Sequence, residues 1–187
     1  MDHKAGVDAR IQKELPELAA KTTYIWMGWY SANMAGFPLI RPMEVPQSGG
    51  KYVWMQPSKP DALLPVSGEV SNNLGVFAVA ALNHPEKTRG KYIDVRSDLL
   101  TFTDVLKVWS EVTGRQAVYV NVSPAEFNKI WGPAGVEMSM QYQSGELWGD
   151  WERLKGDLVV QPGEIGITKD QLIDLKGDLT KLKDKLF

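Results

Sequence analysis

The feature that most constrains this chain is a repeated switch between helical and strand periodicity. Val7, Ile11 and Leu15 recur at i, i+4 and i+8 among charged side chains until Pro16, and the β-branched, aromatic run Thr22-Thr23-Tyr24-Ile25-Trp26 then leads to Gly28. An amphipathic helix running into a mostly buried strand is half of an α/β unit. Further strands are predicted at 52–55, 91–95 and 117–121. Between them, 74–82 is apolar nearly all round and predicts a buried helix ending before Pro85, whereas the proline-punctuated 57–65 reads as a loop leading to Val66. Thr101 with Asp104 caps a helix whose face is Phe102, Val105, Leu106, Trp109 and Val112, and Gly114 ends it. Ser123-Pro124-Ala125-Glu126 opens another helix, 133–148 is helix-compatible, and a third cap at Thr168 predicts a terminal helix carrying Leu172, Leu175, Leu179, Leu182 and Leu186. The expected class is α/β (α+β mixed), in one domain spanning residues 1–187.

Composition narrows the function. There are no cysteines and only two histidines, His3 and His84, which leaves no thiolate chemistry and makes a dedicated metal site an unfavoured reading. A net charge of −2 gives no basic field for a phosphate backbone, so no nucleic-acid partner is expected. The longest apolar run, about Val76 to Leu82, falls far short of the ~20 residues that span a bilayer, and the first residues lack a signal-peptide apolar segment. No membrane association and a cytoplasmic location are expected.

In order, these segments resemble the C-terminal half of the NmrA-like proteins, atypical relatives of the short-chain dehydrogenase/reductases. Asp2-His3-Lys4-Ala5-Gly6-Val7 is similar to the family's "D-x-K-x-x-V" helix start. Gly28-Trp29-Tyr30-Ser31-Ala32-Asn33 resembles its "G-x-Y-x-x-N" segment after a strand, and Asn73-Leu74-Gly75 its "D-I/L-G" before a helix, with asparagine in place of the usual aspartate. The family's dinucleotide loop, "G-x-x-G-x-x-G" between a strand and a helix, has no counterpart: Gly132 and Gly135 are followed by Met138, and Gly163 and Gly166 by Lys169. The resemblance therefore implies a truncated NmrA-like fold, a remnant of a Rossmann-type sheet plus the substrate-binding subdomain, with no cofactor. It also implies that the first strand exposes an edge and an apolar face, to be covered by a second copy or a partner chain.

The resemblance places Lys4 at an active-site position, next to His3, whose imidazole exchanges protons near neutrality. Adjacent residues do not share a helix face, so a charged chain start is the competing reading. Trp29, Tyr30 and Asn33 lie where the family's chain passes its substrate pocket, although a Trp-rich loop also packs simply as core. Glu137, Tyr142 and Trp148 fall in its pocket-lining region, or else on a solvated helix face. The expected catalytic set is Lys4, His3, Tyr30 and Glu137, with Trp29, Asn33, Tyr142 and Trp148 binding substrate. Seven tryptophans suit an apolar polycyclic ligand, or are simply large core residues. The expected function is a cofactor-independent isomerisation, cyclisation or dehydration, as in secondary metabolism. The alternatives are a non-catalytic regulatory subunit completed by a partner and a fragment of an NAD(P)-dependent reductase.

Overall fold

The computed structural model describes residues 2–187. Helix α1 (Asp2–Glu14) and the short α2 (Pro16–Ala19) lead into β1 (Tyr24–Met27), α3 (Asn33–Gly36), β2 (Met43–Glu44), β3 (Tyr52–Gln56) and β4 (Leu63–Val66). Then come α4 (Val70–Asn83), α5 (Pro85–Thr88), β5 (Tyr92–Val95), β6 (Asp98–Thr101), α6 (Phe102–Thr113) and β7 (Ala117–Asn121). Helix α7 (Pro124–Leu147), α8 (Glu152–Lys155), β8 (Val159–Val160) and α9 (Leu175–Lys181) complete the order, with single 3₁₀ turns between and after them.

Three small sheets result. The parallel sheet β1-β5-β8 has β1 at its edge, β3 pairs with β2 antiparallel and β7 parallel, and β4 pairs antiparallel with β6. The chain leaving β1 stitches the first sheet to the third, because Trp29 N–H donates to Pro65 O at 2.6 Å and Ser67 N–H to Trp29 O at 3.0 Å. This contact needs a glycine just before it: a Cβ at Gly28 would lie 2.6 Å from Pro65 O.

Two cores follow from the side-chain alternation of the strands. Ile93, Val95 and Val160 point to one face of the first sheet and pack with Phe77 of α4. The larger core gathers Trp54, Phe102, Trp109, Tyr142, Leu175 and Leu179 between the second sheet, α6, α7 and α9. Both capping boxes at Thr101 and Ser123 form, and Gly114 takes the left-handed conformation that ends α6.

The structure corrects several expectations. Residues 57–65 are not all loop, since β4 runs through Pro65, whose missing N–H costs no pairing with β6 at that position. Helix α4 is buried on one side only: Phe77 is inaccessible, but Leu82 is 80% and Val79 59% exposed. The Thr168 box caps a 3₁₀ turn rather than a terminal helix, and α9 starts later, capped by Asp174. The leucines still pack inward, with Leu175, Leu179 and Leu186 buried. Strand β1 is not mostly buried, since Tyr24 is covered while Ile25 is 39% exposed at the open edge.

Asn73 is buried and serves as a clasp. Its amide donates to Ser67 O at 2.7 Å and Ile173 O at 2.9 Å and accepts from Ile173 N–H at 2.9 Å. A carboxylate would meet two carbonyl oxygens there, which explains the amide where the family pattern has an acid. Asn73→Ala orphans Ser67 O and Ile173 N–H, while Ile173 O keeps its bond from Glu69 N–H; it is expected to cost about 2 kcal/mol, read as a fall of about 4–8 °C in melting temperature.

Candidate functional site

A cleft of about 1130 Å³ opens at the C-terminal end of β1, where open parallel sheets characteristically hold ligands. Its floor is β1 with Trp26 and the turn Gly28–Tyr30; α1 forms one wall, and the second half of α7 with the segment after it forms another. Of the eight residues expected from sequence, Lys4, Trp29, Tyr30, Asn33 and Glu137 line this one cleft.

Each arrives by a local rule. Lys4 and Asp8, four apart on α1, share the face turned to the cleft. Trp29 and Tyr30 sit on the turn that Gly28 allows close to β4. Ser31 fixes that turn from below by donating to the carboxylate of Asp178 on α9, a group whose pKa burial raises while the Ser31 bond opposes the shift. Glu137 lies beyond the kink that Gly132, at φ 61°, and Pro133 put into α7. The same helix face brings Ala134, Met138 and Gln141 to the cleft, and Gln141 Nε2 donates to Glu137 Oε1 at 3.4 Å.

Three expectations fail as stated. His3 is exposed and lies off the cleft, turned about 100° around α1 from Lys4. Tyr142 is buried behind the cleft wall, where its ring meets Phe102 edge-on at 5.3 Å and its hydroxyl accepts from Trp29 Nε1 at 3.2 Å. Burial drives its phenol far above the usual range, with the Trp29 bond opposing, so it is a neutral pin for Trp29 and lies outside the cleft lining. Trp148 caps α7, is 43% exposed and is absent from the lining. Glu137 combines both readings offered for it, lining the cleft from the exposed face of α7.

Residues that the sequence reading passed over take these places. Trp151, three residues beyond Trp148, lines the cleft and packs edge-on to Trp26 at 5.6 Å. Helical spacing from Glu137 signals Ala134, Met138 and Gln141; nothing local signals Trp151, because its placement depends on a turn at Gly149 with φ 58°. Near Trp151, the buried Asp94 and the partly exposed Asp150 share the guanidinium of Arg96, at 2.8 and 3.1 Å. Among the described residues no three His, Cys, Asp or Glu side chains converge to hold a metal.

The match to the NmrA-like family model spans residues 1–161, and the chain belongs to that family. It is 22% identical over 160 residues to an NmrA-like family domain-containing protein of Dictyostelium discoideum, covering 84% of this chain and 50% of that protein. Among solved structures it is similar to NmrA, a negative transcriptional regulator. One crystal form gives a TM-score of 0.54 at 19% identity, over 92% of this chain and 51% of NmrA. NmrA in complex with NADP gives 0.52 at 21% identity, over 86% and 47%. The chain thus spans about half the length of the relatives it matches, and the structural likeness concerns the fold.

Neither glycine pair of the family spacing is built as a pyrophosphate loop. Gly132 and Gly135 lie at the kink of α7, not between a parallel strand and a helix start. Gly163 and Gly166 follow β8 but form a 3₁₀ turn, whose Gln161 N–H is already taken by the Glu164 carboxylate at 2.7 Å. Tyr142→Phe leaves Trp29 Nε1 without its acceptor. The expected loss is about 1 kcal/mol, or about 2–4 °C in a thermal melt, with a changed Trp29 environment by fluorescence.

Proposed function

We propose that this chain is the substrate-side half of an NmrA-like fold and that its cleft binds an apolar, oxygenated ring compound, on which it performs a cofactor-independent proton transfer. The observation that carries this reading is the cleft itself, where Trp26, Trp29, Tyr30 and Trp151 supply aromatic surface while α1 and α7 bring Lys4 and Glu137 to the same space. Aromatic walls with few polar groups hold and orient such a ligand. The Lys4 ammonium hydrogen-bonds a carbonyl oxygen of the ligand, and the Glu137 carboxylate accepts a proton from the adjacent carbon. Return of that proton to another atom completes an isomerisation; its delivery to a departing β-hydroxyl, released as water, completes a dehydration. Tyr30 and Asn33 orient the oxygenated end.

The direct test is deuterium incorporation next to the carbonyl of 2-tetralone in D₂O, followed by proton NMR. Glu137→Gln is expected to lower the enzyme-dependent rate by about 10²-fold or more, and Lys4→Gln to lower both rate and binding. Binding is read separately with anilinonaphthalene sulfonate, an aromatic anion. Bound probe with no exchange above buffer removes the catalytic reading.

A second reading, a non-catalytic regulatory unit completed by a partner chain or a second copy, rests on a different observation. Among the described residues α1 has no buried side chain, Val7, Leu15 and Leu18 are 55%, 52% and 51% exposed, and β1 beside it is an open edge. Sedimentation velocity at micromolar concentration tests it; a stable monomer removes self-association, and a stable complex without turnover favours the partner role.

A further inference from the structure

Asp94 is fully buried on β5, paired in register with Trp26, and neither of its carboxylate oxygens has an aligned hydrogen-bond donor. The Arg96 Nε lies 2.8 Å from Asp94 Oδ2 as an ion pair. The same guanidinium reaches across to the segment after α7, where Nη1 donates to Asp150 Oδ1 at 3.1 Å, and to the residue after β8, where Nη2 donates to Gln161 Oε1 at 2.8 Å. Gln161 Nε2 is also buried without a partner. One cation therefore serves two carboxylates, and the more deeply buried one is the less well satisfied. Asp150 is followed directly by Trp151, whose ring stands against Trp26 and forms the cleft wall together with Leu154.

We propose that Asp94, Arg96 and Asp150 form a proton-sensitive clasp that sets the position of Trp151 and thereby the width of the cleft. With Asp94 ionised, the guanidinium is divided between the two carboxylates. With Asp94 protonated, Arg96 is left to Asp150 and holds the Trp151 segment more firmly. The charged groups around Asp94 are Arg96 at the end of its own strand and Asp150 and Glu152 on the segment after α7; farther off, Asp8 of α1 and Lys155 of α8 face the neighbouring Tyr92, the Lys155 ammonium 5.2 Å from its ring. Strands β1 and β8 contribute the uncharged Trp26 and, just past β8, the neutral Gln161. Burial pushes the Asp94 carboxyl up to about 7, opposed by Arg96 and reinforced by Asp150 and Glu152. The raised folded value also means that the ionised form costs stability: this cost is absent below the unfolded value near 3.8, grows from there to about pH 7, and is constant above it.

The clasp deepens the reading of the cleft as a ligand site and rests on it only for its effect on binding. The test on the clasp itself needs no ligand. In protein labelled with 5-fluorotryptophan, the Trp151 resonance is assigned by its loss in Trp151→Phe and followed by ¹⁹F NMR from pH 5.5 to 8.5. The expected result is a shift of that resonance with a midpoint near 7, which Asp94→Asn abolishes, fixing the signal at its low-pH position. Asp150→Asn, a change at a part-exposed site, is expected to move the signal toward that of a solvated indole at every pH. A Trp151 resonance that does not titrate, one that titrates equally in Asp94→Asn, or one unmoved by Asp150→Asn overturns the clasp; the last measurement decides if Asp94→Asn fails to fold. Anilinonaphthalene sulfonate is expected to bind about threefold more tightly at pH 6 than at pH 8 in the wild type and equally at both in Asp94→Asn. Absence of any binding refutes the ligand cleft while leaving the ¹⁹F result to judge the clasp.

Discussion

Where the chain leaves β1 it runs so near β4 that no side chain fits at Gly28, and the next residue exchanges backbone hydrogen bonds with Pro65 and Ser67. This contact joins two sheets that otherwise have separate cores, one closed by Phe77 and the other by Trp54, Phe102 and Trp109. It also sets where Trp29 and Tyr30 emerge, so the floor of the cleft is fixed by backbone geometry rather than by side-chain packing. Tyr142 and Asp178 then hold Trp29 and Ser31 from the core side. Such support from buried groups is what gives a binding surface a defined shape.

The walls are held differently. Helix α1 turns Lys4 and Asp8 toward the cleft and ties itself to the sheet through Gln12 Nε2, which donates to Tyr92 Oη at 2.7 Å, while its apolar Val7 and, just past its end, Leu15 face outward. A helix with its apolar stripe in water gains little from the hydrophobic term. Its position therefore depends on polar contacts and on whatever surface covers the stripe. The opposite wall, Trp151 and Leu154, likewise depends on an ionic contact, Arg96 to Asp150. A rigid floor between two polar-tethered walls allows the cleft to change width without disturbing either core.

Sequence alone showed the elements whose signals are local. The capping boxes at Thr101 and Ser123 and the strand at 91–95 depend on neighbours in the chain, and all form. The likeness to the NmrA-like proteins held at the level of the family, over residues 1–161. Strand β4 was missed because Pro65 is tolerated only where its backbone faces Trp29 rather than β6, an arrangement set by partners far away in sequence. The run 74–82 misled because apolar composition gives no direction: the helix buries Phe77 on its sheet side and leaves Leu82 in water.

The cleft was legible to the same extent and for the same reason. Lys4, Trp29, Tyr30, Asn33 and Glu137 lie on segments whose own geometry brings them to the cleft. Tyr142 and Trp148 were misplaced because a kinked helix and a glycine turn decide which aromatic ring faces inward, and these put Tyr142 in the core and Trp151 in the wall. Asp94, Arg96 and Asp150 carry no local signal at all: Asp94 to Arg96 reads as the polar end of a strand, and Asp150 lies 54 positions beyond Arg96. What makes them a unit is that burial strips water from Asp94 and leaves one guanidinium to answer two carboxylates. A cation so divided transmits the protonation of a hidden carboxyl to a residue on the surface of the cleft.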